Sequence, residues 1–287
     1  MSSPETLTAG RGVLGVIGHP VSHSMSPRIH NAAFQAQGLD LVYVTFDVPI
    51  DRLSAAMAGI RALGIRGVNV TLPHKQAVLP HLDGVSRLAD RVGAVNTIVN
   101  DDGRLVGHNT DVLGFQKALR SLLPEGAGGR RCLVVGAGGA ARAVVAALVE
   151  DGAEQVWVSN RTHERAVQLC AVASAWGRTL CEAVTLGRVR EVIAAAEVLV
   201  NATSLGLAGP VKELALPVDT VHSGHVVVDL VYSDSATPLV REAQMRGAST
   251  ADGMEMLVMQ AVESYGLWTG LKPPVDVMLE SVRRGEG

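Results

Sequence analysis

The sequence predicts an α/β chain of two domains. Three observations predict it: short apolar runs alternate with helix-like segments, Gly136, Gly138 and Gly139 stand between such a run and an alanine-rich stretch, and 287 residues exceed the usual size of one domain. With 47% apolar residues there is material for two cores, and with so few aromatic residues (3%) those cores must be built from Ala, Val and Leu.

The elements follow in order. Residues 12–17 read as a strand, 27–37 as a helix with Pro27 in its first turn, 41–47 as a second strand and 53–63 as a second helix. Residues 67–71 make a third strand. A helix over 86–92 precedes a hairpin in which 94–100 and 104–107 flank the turn Asp101-Asp102-Gly103. A helix runs from Asp111 towards Leu123, and 124–129 is a loop. The first domain should therefore span 1–111.

Residues 132–135 form a short apolar run fit for a buried parallel strand, and 140–148 lack glycine and proline, as a helix does. A strand thus feeds a helix through Gly136, Ala137, Gly138, Gly139 and Ala140. Gly136 permits the tight turn, Gly138 lets the backbone approach a pyrophosphate with no Cβ in the way, and Ala141 holds the third small position, where helix packs on strand. The helix N-terminus offers free N–H groups and a positive dipole end to phosphates. The motif alone is weak; its flanking strand and helix make it a Rossmann-type, doubly wound dinucleotide site.

Residues 155–159 read as the next strand. At its end, where an NAD-binding protein usually places an acid on the ribose, stand Asn160, Arg161 and Thr162. No carboxylate repels a 2′-phosphate there. Arg161 can lay its guanidinium against adenine and phosphate, and Arg165, four residues on and so on the same helical face, can add a second charge. This favours NADP over NAD; the competing reading is two solvated surface arginines. Residues 198–201 and 226–230 are further buried strands with polar residues at their carboxyl ends. The cofactor domain then spans 112–251. Asp252-Gly253 turns the chain into helices over 254–265 and 275–282, a pair (within 252–287) placed to return to the first domain. Lobes joined near Asp111 and Ala251 should hinge around the cleft between them.

A net charge of −3 with no basic block argues against nucleic acid. The segment from Met1 to Thr6 lacks the basic and apolar regions of a signal peptide, and no run approaches the ~18 apolar residues of a membrane span, so a cytoplasmic protein without membrane partners is expected. Cys132, Cys170 and Cys181, odd in number, read as buried free thiols. His19 and His23 have the i, i+4 spacing of a metal pair, but Pro20 between them breaks the helix that spacing needs, and no metal is expected.

The runs Gly18-His19-Pro20-Val21-Ser22-His23-Ser24-Met25-Ser26-Pro27, Asn69-Val70-Thr71-Leu72-Pro73-His74-Lys75, Gly93-Ala94-Val95-Asn96-Thr97, Asn109-Thr110-Asp111, the Gly136 loop, Asn160-Arg161-Thr162, Asn201-Ala202-Thr203-Ser204-Leu205-Gly206 and Asp252-Gly253 through Gln260 resemble, in order, the shikimate dehydrogenases. The resemblance spans residues 12–270. It implies hydride transfer from NADPH to 3-dehydroshikimate in aromatic biosynthesis, with Lys75 and Asp111 as the catalytic pair. It also implies a substrate carboxylate held by Ser24 and Ser26, ring hydroxyls bound by Thr71, Asn96 and Gln260, and Tyr232 reaching the carboxylate from the cofactor domain. Thr203, Leu230 and Gly253 fall at its cofactor positions, Gly253 where a side chain would crowd the nicotinamide. One of the two serines could instead cap the Pro27 helix, a role Ser26 could share. Three residues depart from the family: His74 replaces a large apolar residue, Glu255 a glycine and Leu230 a methionine, and the first two could alter the pocket edge. A paralogue acting on quinate or an aminated analogue, with NAD as a possible cofactor, and a silent NADP/shikimate sensor are the alternatives. Monomer and homodimer are both open.

Overall fold

The computed structural model describes residues 12–203, 216–232 and 236–283. Its first part contains β1 (Gly12–Gly18), α1 (Ser26–Ala36), β2 (Leu41–Asp47), α2 (Leu53–Ala62), β3 (Gly67–Val70), α3 (His74–Ala77), β4 (Gly84–Val85), α4 (Arg87–Val92), β5 (Thr97–Asp101), β6 (Arg104–His108) and α5 (Asp111–Leu122). The second contains β7 (Arg131–Val135), α6 (Gly139–Glu150), β8 (Gln155–Ser159), α7 (His163–Ala173), β9 (Leu180–Val184), α8 (Val189–Ile193), β10 (Val198–Asn201), β11 (Val226–Asp229), α9 (Pro238–Met245) and β12 (Ser249–Ala251). Helices α10 (Gly253–Thr269) and α11 (Val275–Arg283) follow.

The first sheet has the order β2-β1-β3-β5-β6-β4 and is mixed: β1 pairs in parallel with β2 and β3, while β5 runs antiparallel to β3 and β6. Asp101 pairs with Arg104, so Asp102 and Gly103 alone make the turn. Both have positive φ, at 47° and 91°, the conformation that lets a two-residue hairpin follow the twist of its strands. The strand expected over 94–100 begins only at Thr97. The Val95 amide leaves the ladder to donate to the Lys75 carbonyl at 2.7 Å, and the carbonyl of Asn96 accepts from Val70.

The second sheet is wholly parallel, in the order β12-β11-β10-β7-β8-β9. The chain starts at the centre with β7, winds outward through β8 and β9, then returns to β10 on the other side of β7. The reversal leaves a crevice outside the carboxyl ends of β7 and β10, where ligands bind in open α/β sheets. Strands β10 and β11 are buried along their whole length, as helix-covered parallel strands must be. On one face Val134, Val156 and Val200 pack with α5, α6 and α7; on the other Leu133, Leu199 and Val227 pack with α8 and α9.

The two final helices do return to the first sheet. Val258, Tyr265 and Met278 join Leu14, Val16, Ile29 and Phe34 in one core, while Val68, Ile98 and Leu105 on the opposite face meet Leu53, Met57 and Ile60 of α2. Polar ends fix the dock: Trp268 Nε1 donates to the Ile98 carbonyl at 2.9 Å, and Tyr265 donates its hydroxyl to Gln37 Oε1 at 2.5 Å. Helix α5 lies between α6 of the second part and α10.

Candidate active site

Lys75 sits in the single turn of α3, just beyond β3, and donates its Nζ to Asp111 Oδ2 at 2.7 Å. Asp111 opens α5, where a carboxylate is favoured by the helix dipole, and is 3% exposed. Its other oxygen accepts from Asn96 Nδ2 at 2.9 Å. The same amide nitrogen lies 2.8 Å from Thr110 Oγ1 and 3.2 Å from Gln260 Oε1. An amide has two protons for these three acceptors, so they must share them. The side-chain oxygen of Asn96, Oδ1, accepts from the Thr110 amide at 2.7 Å, which fixes the orientation of the whole group.

The loop before α1 approaches from β1. His19 donates its amide to the Leu72 carbonyl at 2.9 Å, joining this loop to the one carrying Thr71, and each contains a cis-proline, Pro20 and Pro73. Ser24 Oγ accepts from the Ser26 amide at 3.3 Å. Ser26 does not cap the helix: it is itself the first helical residue and follows Met25, which holds the N-cap position without a side-chain cap. The Ser26 side chain is buried beside the phenol of Tyr43.

The glycine loop bridges β7 and α6 as its sequence requires. Gly136 has φ +125°, and a Cβ there would stand 2.6 Å from the Ala202 carbonyl oxygen, so β7 and the β10 loop approach as only glycine allows. A Cβ on Gly138 would meet nothing within 4 Å: the loop is open on the side where a pyrophosphate would lie. Ala141 is fully buried at the helix–strand contact. At the end of β8, Asn160 donates to the Thr162 carbonyl at 2.8 Å, and Arg161 and Arg165 are exposed with no ion pair among the described residues. Arg161 precedes α7, which starts at His163, so the helical-face relation expected between the two arginines does not hold; Arg165 is instead tied to the turn by its amide on the Thr162 carbonyl at 3.1 Å. Two free guanidinium groups beside an open glycine loop fit a dinucleotide with an added phosphate.

Across the crevice, Thr203 donates its amide (3.1 Å) and its hydroxyl (2.7 Å) to Asn201 Oδ1, and Asn201 donates to Asp229 Oδ1 at 2.8 Å. Burial raises the Asp229 carboxyl above its usual range, against its hydrogen bonds from Thr237, Val231 and Asn201. Leu230 and Tyr232 follow β11, both half-buried, and burial raises the Tyr232 phenol. A Cβ on Gly253 would collide with the Leu230 carbonyl. Ser204, Leu205 and Gly206 lie outside the described residues.

Family models match consecutive parts of the chain: shikimate dehydrogenase substrate binding domain over residues 16–98, shikimate / quinate 5-dehydrogenase over 119–230, and shikimate 5′-dehydrogenase C-terminal domain over 253–283. The shikimate dehydrogenase (NADP+) of Moorella thermoacetica is 45% identical over 97% of this chain and 95% of its own. This chain belongs to the shikimate dehydrogenase family. A crystal structure of a shikimate dehydrogenase in complex with NADP+ superposes with a TM-score of 0.91 at 35% identity, covering 98% of both chains. The enzyme of Thermus thermophilus, in complex with NADP(H) and shikimate, gives 0.84 at 42% identity, covering 95% of this chain and 99% of that one.

His74 and Glu255, the two departures expected at the pocket edge, both contact other protein groups. His74 is fully buried, with Nε2 2.6 Å from the Val48 carbonyl and Nδ1 without a partner. Glu255 accepts from Ser121 at 2.9 Å. Sequence reading missed the polar cluster behind Lys75 and Asp111. Asn69 Nδ2 reaches the Asn96 carbonyl (3.1 Å), Thr97 Oγ1 (3.0 Å) and Ser264 Oγ (3.1 Å), while its Oδ1 accepts from the buried Tyr43 hydroxyl at 2.6 Å. Ser264 also touches Thr97 Oγ1 (2.8 Å) and Thr110 Oγ1 (3.2 Å). Its spacing of i+4 from Gln260 was the available signal. Cys132, Cys170 and Cys181 are free, and burial pushes their thiols up to about 12, 12 and 11. Among the described residues no helix is long and apolar enough to cross a membrane.

Proposed function

We propose that this shikimate dehydrogenase carries out the reversible, NADP-dependent reduction of 3-dehydroshikimate to shikimate in the cytoplasm, as a step of aromatic biosynthesis. The observation that carries the reading is the Lys75–Asp111 ion pair of 2.7 Å, held with both side chains largely buried (18% and 5% exposed) directly beside the glycine loop.

NADPH, when bound, supplies the hydride. As the substrate carbonyl gains negative charge, the Lys75 ammonium stabilises it and delivers the proton; in the oxidative direction the neutral amine takes the proton back. Asp111 holds the ammonium in place and accepts a hydrogen bond from a ring hydroxyl. Asn96, Gln260 and Thr71 line the remaining hydroxyl positions, since a triol needs donors and acceptors around its edge. Ser24 and Ser26 take the carboxylate at the start of α1, with Tyr232 closing on it from the other domain.

Residues 136–140 cradle the pyrophosphate. Asn160, Arg161, Thr162 and Arg165 receive the adenosine and its 2′-phosphate, and Thr203, Leu230 and Gly253 border the nicotinamide end. The substrate domain is 1–111, the cofactor domain 112–251, and 252–287 completes the substrate side.

The test is to follow nicotinamide absorbance with shikimate or quinate, each with NADP or NAD. Reduction of NADP by shikimate alone supports the reading, and a strong quinate or NAD signal replaces it with the paralogue. Lys75→Ala should lower kcat by about 10²- to 10⁴-fold, the usual contribution of a positioned acid–base group, with NADPH binding retained. Activity unaffected by that substitution would overturn the mechanism.

A further inference from the structure

The helix that follows the glycine loop makes a second contact with the substrate side that the mechanism above does not use. Arg142, in the first turn of α6, donates its Nε to the Val92 carbonyl at 2.6 Å. Val92 is the last residue of α4, whose terminal carbonyls have no later helical amide to accept from, so a cation there is favoured both by the hydrogen bond and by the dipole. Gly93 makes the room: it turns the chain at φ +66°, and a Cβ on it would stand 2.9 Å from Arg142 Nη2. Arg142 has no ion pair among the described residues, and burial lowers its guanidinium below the usual range.

What Arg142 grips is close in the chain to both catalytic groups. Val95 donates its amide to the Lys75 carbonyl at 2.7 Å, and the next residue, Asn96, donates to Asp111 at 2.9 Å. The far end of α6 is tied to the same short helix, with Arg91 bonded to Glu150 at 3.1 Å and to the Trp176 carbonyl. The C-terminal end of α4 is therefore held to both ends of α6.

We infer that Arg142 is a positioning residue: by holding the Val92–Gly93 turn it sets the register between the glycine loop and Lys75, and it does not bind the dinucleotide. The inference rests on the proposed function, in which the dinucleotide lies on that loop. A displacement of about 1 Å between reacting groups costs on the order of 10²-fold in rate, so the register matters.

The test uses the full-length protein with Arg142→Ala, Arg142→Lys, Gly93→Ala and the Arg142→Ala/Gly93→Ala pair. The kcat of Arg142→Ala should fall by at least about 10-fold while the NADPH dissociation constant, read by fluorescence, stays within about twofold. The primary isotope effect from NADPH deuterated at the transferred position should rise, because hydride transfer becomes the slower step. Arg142→Lys, which can still donate to the carbonyl, should recover part of kcat. Gly93→Ala evicts the guanidinium and should show the same defect, with the double variant no worse than the more damaged single. Small-angle scattering of the cofactor-free protein should show a larger radius of gyration for Arg142→Ala. Weaker NADPH binding with kcat preserved would make Arg142 a cofactor ligand and overturn the inference, as would unchanged kinetics or strictly additive losses. Wild-type protein inactive on shikimate with NADP would instead sink the proposed function, and the scattering comparison would still judge the clamp.

Discussion

Gly139 and Lys75 meet across the cleft: a methyl group built on Gly139 would fall 2.8 Å from Lys75 Cβ and 3.0 Å from its Cδ. The glycine loop thus packs on the aliphatic stem of Lys75, so the two parts of the chain touch at this point. Gly139→Ala must push that stem aside or hold the lobes apart by a few tenths of an ångström. The expected result is a fall in kcat of about 10-fold. Folding stability should change by less than about 1 kcal/mol, because alanine suits a helical turn better than glycine does. Steady-state kinetics and a denaturant melt on one preparation check both statements.

Arg161 and Arg165 are exposed beside the open loop without ion pairs among the described residues. A charge-assisted hydrogen bond contributes about 1.5–3 kcal/mol, so replacing either arginine by alanine should raise the KM for NADP about 10-fold or more. The KM for NAD should hardly move, since NAD lacks the added phosphate. Equal losses with both cofactors would mean that the arginines serve the adenine and not the phosphate.

His30 gives the protein a pH-dependent stability. It is fully buried, stacked on Tyr43 with ring centroids 4.5 Å apart, and neither ring nitrogen has a hydrogen-bond partner. Burial lowers its pKa to about 3 against a smaller opposing effect of Asn69. Between about pH 6.5 and 3 the unfolded chain therefore holds a proton that the folded one does not. This contribution is fully present above pH 6.5 and is lost on acidification, at about 1.4 kcal/mol per pH unit. Urea melts from pH 7 to 5 should show that slope, and His30→Phe should flatten it; a slope unchanged by the substitution would assign the effect to other groups.

Ser264 has one proton and two lone pairs among four polar neighbours, counting the Gln260 carbonyl at 3.0 Å. Ser264→Ala leaves buried donors on Asn69 and Thr97 to find new acceptors, which should cost about 1–3 kcal/mol of stability. The same cluster braces Thr110 and Asn96, so the KM for shikimate should rise while the NADPH dissociation constant does not. Loss of stability with unaltered kinetics would limit the serine to a structural role.

The strands and glycine loop were legible because local pattern determines them: an apolar run, glycines and an alanine-rich helix can be read without knowing what lies opposite. Elements with weak local pattern were not. β9 is an edge strand with Leu180 exposed, and β12 is Ser-Thr-Ala, without a large apolar residue. The early start given to β5 failed for a tertiary reason, the claim of Lys75 on the Val95 amide. At the site, Lys75 and Asp111 stood out through their motifs. Ser264 was hidden in a helix that is apolar on most sides, and the partners of Gly139 and Arg142 lie about fifty or more residues away in the chain, where periodicity carries no information. The close approach of Gly253 to the Leu230 carbonyl is likewise a contact that no sequence motif encodes.

The return of α10 and α11 to the first sheet has a consequence for biosynthesis. The parallel sheet from β7 to β12 lies in one unbroken stretch, so it has all its strands once Ala251 has left the ribosome. The sheet that begins the chain must wait for Val258, Tyr265 and Met278 before the face it shares with α1 is fully covered. The half synthesised first is therefore completed last, and a nascent chain stopped short of α10 carries a partly uncovered apolar face, the kind of surface that chaperones hold and that aggregates when they do not.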